Sequence, residues 1–176
     1  MPRKLKTIEI ERISVEEFHE AEKTPLVVVL DNVRSMYNIG SVFRTADAFR
    51  IEEVLLCGIT ATPPSNEIHK TALGAEESVA WQYFEKTTDA VAYLRGKGYT
   101  LCAIEQCEGS VMLNDFRKEE GKSYAVFMGN EVKGVQQTVI DECDVCIEIP
   151  QYGTKHSMNV SVTAGIVMWE MVSKKD

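Results

Sequence analysis

A chain of 176 residues with 44% hydrophobic and 26% charged content is long enough to bury one full core and ordinary for a soluble globular domain. Its formal charge of −8 excludes a surface that holds nucleic acid through a uniformly positive field, leaving room only for a local basic groove. Neither a run of about 18 apolar residues nor an apolar segment after the basic Met1–Lys6 stretch is present, so no membrane span or signal peptide is expected and a cytoplasmic protein is the default.

In chain order, Thr7 to Lys23 reads as a short amphipathic helix opened at the Ser14-x-x-Glu17 capping box. Residues 1–24 form an N-terminal helical segment ahead of a domain over 25–176. Leu26-Val27-Val28-Val29-Leu30 is a continuous β-branched run of the kind buried on both faces of a parallel sheet. Asp31 to Ser35 is the loop at its end. Asn38 to Phe49 reads as a helix with Ile39, Val42, Phe43, Ala46 and Phe49 on one face. Arg44 points away from that face among small residues, either as a solvated surface cation or as a functional one lying along a packed surface.

Ile51 to Gly58 is a second strand. Ile59 to Ser78 reads as loop, broken by Thr62-Pro63-Pro64-Ser65. A short strand over Val79–Phe84 follows, then a helix over Thr88–Lys97 started by Thr87 or Thr88 and ended by Gly98. Tyr99–Ile104 is a strand, Asn114–Gly121 a loop, and Tyr124–Met128 a buried strand running into Gly129–Val135. Gln136–Cys143 is helical, Val145–Ile149 the last strand and Ser157–Ser173 the last helix. This alternation gives an α/β class with a mostly parallel sheet flanked by helices. No internal repeat or low-complexity segment interrupts it.

Five cysteines, an odd number without a secretory signal, argue against a disulfide framework. Cys143-x-x-Cys146 has no second pair to complete a zinc site, so buried free thiols are expected and no metal. The first βα turn lacks G-x-G-x-x-G. A phosphate-loop lysine, a G-x-S-x-G elbow and a Ser–His–Asp arrangement are all missing. What remains is three glycine-bearing loops at strand ends, carrying Arg44, Asn38, Asn159 and Glu131. Such loops suit a site where a cofactor supplies the hard chemistry and the protein supplies position and electrostatics. Helix capping would equally explain Ser157 and Asn159, and an exposed loop carboxylate Glu131.

Together the three segments are specific. Asn38 to Phe49, Phe127 to Val135, and Ile149-Pro150-Gln151-Tyr152-Gly153 through Ser157-Met158-Asn159-Val160-Ser161-Val162 resemble, in order and spacing, the three motifs of the SpoU/TrmH family of RNA ribose methyltransferases in the SPOUT superfamily. The resemblance covers roughly residues 26 to 172. It implies an S-adenosylmethionine-dependent 2′-O-ribose methyltransferase acting on RNA, a C-terminal trefoil knot and a homodimer. It also implies catalytic roles for Arg44, Asn38, Glu131, Ser157 and Asn159. The cofactor is expected among Glu105, Gly129, Asn130, Ile149, Gly153, Ser157 and Met158. The single-domain form points to tRNA, with rRNA as the alternative and an inactive RNA-binding or assembly module as the rival. Two positions depart from the family pattern. Val132 stands where many relatives have glycine, which predicts an altered turn, and Gln151 stands where methionine is common.

Overall fold

The computed structural model describes residues 1–173. Seven strands form one sheet in the order β3-β2-β1-β6-β4-β7-β5: β1 Thr24–Asp31, β2 Ile51–Cys57, β3 Trp81–Phe84, β4 Thr100–Ile104, β5 Val111–Met112, β6 Tyr124–Met128 and β7 Val145–Glu148. Every pairing is parallel, from Val28 opposite Val54 on one side of β1 to Val28 opposite Val126 on the other. Residues 25–30 and 124–128 lie in the two central strands, and all but Pro25 are buried. This is why their sequence reads as unbroken apolar runs.

Alternation along each strand sends side chains to two cores. Val28, Leu30, Val54, Leu56, Val126 and Met128 face α1 Val15–Glu20, α2 Met36–Ala48, α3 Asn66–Ala72, α4 Ala75–Ser78 and α7 Val160–Ser173. Val27, Val29, Leu55, Leu101 and Phe127 face α5 Thr87–Gly96 and α6 Gln137–Ile140. The mostly parallel α/β architecture therefore stands. No helix among the described residues is long and apolar enough to cross a membrane.

Several expectations are corrected. The N-terminal helix shrinks to Val15–Glu20, preceded by a 3-10 turn over Thr7–Glu9. The capping box at Ser14 is present, with Glu17 N–H donating to Ser14 Oγ and Ser14 N–H to the Glu17 carboxylate. An extended N-cap cannot continue a helix backwards, and Ile8 and Ile13 stay exposed. Ile59–Ser78 is not loop throughout. Ser65 caps α3 by accepting from Ile68 N–H, and Ile68 and Ala72 bury one turn apart. The close approach of α3 to α2 needs Gly40, where a Cβ would meet Ile68 O at 2.2 Å.

The α5 helix begins after Lys86 without a side-chain cap, because Thr87 donates instead to buried Asp31. The two-residue strand β5 escapes any periodicity reading, and α6 is shorter than the helical segment expected up to Cys143. Cys107 and Cys146 form a disulfide, with Cα atoms 6.4 Å apart. The pairing of β4 with β7, which sets Ala103 opposite Cys146, closes 39 residues of sequence that spacing alone does not join. Cys57 and Cys102 are buried free thiols and Cys143 is half-buried, as expected. Burial pushes the Cys57 and Cys143 thiols up to about 12, so neither is a thiolate near neutral pH. No group of three or more metal-ligating side chains gathers among the described residues. Residues 174–176, the end of the domain expected over 25–176, lie outside the described residues.

Candidate active site

Parallel strands end together, and in open α/β sheets the carboxyl ends carry the ligand crevice. Here a cleft opens at the ends of β4, β6 and β7. Ile104, Glu105 and Gln106 line it from β4, and Met128 to Glu131 with Gly134 from β6. Ile147 to Ile149 with Gln151 line it from β7, and Ser157, Met158, Val160 and Thr163 from the approach to α7. Its walls mix aliphatic and thioether side chains (Ile104, Met128, Ile147, Ile149, Met158, Val160) with polar and acidic ones such as Glu105, Gln106, Glu148 and Thr163.

The turn after β6 is built by its own side chain. Asn130 Oδ1 accepts from Val132 N–H at 2.9 Å and Lys133 N–H at 3.0 Å, and Asn130 and Gly134 exchange backbone hydrogen bonds. Gly134 takes the left-handed conformation, φ +69°, while Val132 stays out of that region. The valine that departs from the family pattern therefore carries no strain. The turn folds back so tightly that a Cβ on Gly129 would meet Gly134 C and Val135 N at 2.1 Å. Glu105 lies under it, accepting from Val135 N–H at 3.1 Å and Gln106 N–H at 2.8 Å.

A chain of side chains joins the three sequence segments. Glu131 accepts from Arg34 N–H and Ser35 N–H, both at 2.9 Å, and from Asn38 Nδ2 at 3.1 Å. Asn38 Oδ1 in turn accepts from Asn159 Nδ2 at 3.1 Å. Asn159 Oδ1 caps α7 by accepting from Ser161 N–H at 2.9 Å and Val162 N–H at 3.3 Å. Its capping role and its reach to Asn38 coexist. Burial pushes the Glu131 carboxyl up, but the Arg34 and Ser35 amides and the Asn38 side chain outweigh it and hold the group below its usual range. Below these loops, buried Asp31 accepts from Thr87 Oγ1, Asn32 Nδ2, Gln136 N–H and Gln136 Nε2 at 2.6–2.9 Å. Asn130 Nδ2 donates to Asn32 O at 2.7 Å, so the β1 and β6 loops are locked together.

Glu105, Gly129, Asn130, Glu131, Ile149, Ser157 and Met158 thus come together around the cleft. Asn38 and Asn159 stand beside it, joined to Glu131. Gly153 sits on the exposed part of the loop, outside the lining. Arg44 is also apart. It lies six residues beyond Asn38, about 9 Å along α2. It is exposed and lines a second groove with Arg12, Phe18, Asp47, Arg50 and Leu73. Among the described residues its guanidinium has no carboxylate partner. Gln106 and Thr163 line the cleft without having been expected there, as does Gln151, noted in the sequence only as a departure from the family pattern. Only their position just beyond strands or in the first turn of α7 marks them, because a glutamine or threonine carries no distinctive chemistry in sequence.

A profile of the SpoU rRNA Methylase family matches residues 25–169. The chain belongs to this family. As a SpoU family protein it is 29% identical over 157 residues to a Staphylococcus aureus protein of the TrmH tRNA/rRNA methyltransferase family, covering 89% of this chain and 62% of that one. It is 31% identical over 151 residues to the 23S rRNA (guanosine-2′-O-)-methyltransferase RlmB of Neisseria meningitidis, covering 83% and 57%. An AdoMet-bound rRNA methyltransferase from Sinorhizobium meliloti superposes with a TM-score of 0.79 at 28% identity, over 92% of this SpoU family chain and 60% of that one. The chain spans about three fifths of the length of the curated relatives it matches.

Proposed function

We propose that this chain is an S-adenosylmethionine-dependent RNA 2′-O-ribose methyltransferase that works in the cytoplasm as a homodimer. The observation that carries the reading is the cleft at the ends of β4, β6 and β7 with the Glu131–Asn38–Asn159 chain along its edge. The lining fits the cofactor: Ile104, Met128, Ile147 and Met158 offer an apolar slot for a flat base, and the backbone around Gly129, Ile149 and Met158 offers hydrogen bonds to its edge. When bound, S-adenosylmethionine supplies a methyl group made electrophilic by its sulfonium.

The chain's own residues must then position and activate a ribose hydroxyl, a poor nucleophile until its proton is drawn away. Arg44 is assigned that task, since a guanidinium stays charged and stabilises a developing alkoxide while gripping an adjacent phosphate. Asn38 and Glu131 fix the start of the helix that carries it. Because Arg44 does not line the cleft of its own chain, the reading needs Arg44 of a second copy to reach it. Support for a second copy comes from α7, where Val162, Ile166 and Trp169 form an exposed apolar stripe at helical spacing, with Trp169 58% exposed. The trefoil knot belongs to the same proposal.

The substrate is RNA, with tRNA the first choice. Ribosomal RNA is the second reading, favoured by the 31% identity to a 23S rRNA methyltransferase. Tritiated methyl transfer from S-adenosylmethionine to purified tRNA and rRNA fractions tests the reading, and Trp169→Asp with sedimentation tests the homodimer. No transfer to either fraction, with cofactor binding intact, would favour an inactive RNA-binding module. A Trp169→Asp protein sedimenting like the unmodified one would remove α7 from the interface.

A further inference from the structure

The loop that closes the cleft between β7 and α7 carries a residue with no structural occupation. Tyr152 is 96% exposed. Among the described residues its ring makes no aromatic contact and its hydroxyl no hydrogen bond. It follows directly on Gln151, which lines the cleft, and the same loop returns to the lining at Ser157 and Met158. The loop is anchored at its far end: Gln106 Nε2 donates to His156 O at 2.6 Å, and Asn159 caps α7. An aromatic ring is therefore displayed at the lip of the cleft on a tethered loop. Leaving a tyrosine in water forgoes the burial that aromatic rings ordinarily gain, unless a partner covers it.

The charges around it identify the partner. Lys155 shares the loop, Lys133 tips the neighbouring turn, and Arg34 adjoins that turn through the bond from its N–H to Glu131. Among the described residues none of the three forms an ion pair. The carboxylates that line the cleft are engaged within the chain, Glu105 and Glu131 by backbone N–H groups and Glu148 by the Ser110 hydroxyl. On a chain of net charge −8 the cleft thus has a cationic rim bearing an exposed ring. Stacking surfaces beside phosphate-holding cations are how proteins hold single-stranded nucleic acid.

We propose that Tyr152 is the platform on which an unpaired RNA base stacks at the mouth of the cleft, with Lys133 and Lys155 holding the flanking phosphates. The inference rests on the RNA methyltransferase reading for its partner but not on the methyl transfer itself.

Fluorescence anisotropy of the full chain with short oligo(rA) and oligo(rU) tests it, because purines stack more strongly than pyrimidines. The unmodified protein should prefer oligo(rA). Tyr152→Ala should weaken oligo(rA) binding roughly 5- to 100-fold and bring the two affinities close together, whereas Tyr152→Phe should keep both affinity and preference. Lys155→Ala should lower the salt slope by about one and leave the preference intact. Equal binding by the alanine variant and the unmodified protein overturns the proposal, as does a phenylalanine variant as weak as the alanine one. A change in sedimentation of Tyr152→Ala also overturns it, since the ring then belongs to an interface between copies. Calorimetry with S-adenosylmethionine separates the two readings. Tyr152-dependent oligonucleotide binding in a protein that does not bind the cofactor overturns the methyltransferase and leaves the platform standing.

Discussion

The ends of β1 and β6 and the groove around Arg44 solve opposite problems on the two halves of one neighbourhood. At the strand ends, the side chains that tie the loops together are bonded several times within the chain: Asp31 accepts four hydrogen bonds, Glu131 three, and Asn159 both caps α7 and reaches Asn38. In the groove, Arg44 is exposed and, among the described residues, without a carboxylate partner. The first region is finished by folding. The second leaves a charge unpaired among the described residues, which is what the role proposed for Arg44 toward a phosphate or a developing alkoxide requires.

Substitutions at the two sites should therefore separate stability from activity, and the largest effect falls on the finished region. Asp31→Ala leaves four donors beneath the loops without an acceptor and should cost about 3 kcal/mol or more in urea unfolding. A loss within the range of an ordinary surface substitution would mean that the strand-end network is not what holds the loops. Arg44→Ala should do the reverse. Methyl transfer should fall about 100-fold, the scale set by removing one donor to a developing oxyanion. Its unfolding midpoint and its calorimetric affinity for S-adenosylmethionine should stay unchanged. Full activity in that variant would take Arg44 out of the chemistry.

Glu131→Gln sharpens the contrast through pH. The carboxyl titrates lower in the folded chain than its unfolded value of about 4.3, so the unfolded state binds more protons between the two values. The stabilisation is complete well above pH 4.3, and it is lost as pH falls through the folded value. The difference in unfolding free energy between the unmodified chain and Glu131→Gln should thus be present at neutral pH, about 1 kcal/mol, and vanish in acid. A difference that grows on acidification would contradict the assignment. The smallest effect belongs to Arg95→Ala, which breaks an exposed pair with Asp144 at 2.7 Å and should change the thermal midpoint little, by at most about 1 kcal/mol of stability.

Much of this was open to a reading of the chain alone. The β-branched runs at residues 26–30 and 124–128 announce central strands because burial on both faces demands apolar side chains at every position. The Ser14–Glu17 box and the amphipathic face of α2 are local devices, set by residues three or four apart. The three segments over 38–49, 127–135 and 149–162 identify the family by their residues and order. Glu105, Gly129, Ile149 and Met158 were expected in one pocket and line one cleft.

Other features depend on neighbours far along the chain. Thr87 looks like a helix cap, yet its hydroxyl is drawn to Asp31, 56 residues away. Ile59–Ser78 is rich in breakers, yet α3 forms there because Gly40 lets its backbone sit against α2. The sequence by itself determined the central strands, the larger helices and the family, because period, caps and residue type are written locally. Only the tertiary structure decided that Cys107 meets Cys146, that Glu131 reaches Asn38, and that Arg44 stands apart from the cleft. Those outcomes follow from the order in which parallel strands pair, and that order is settled by burial summed over the whole sheet.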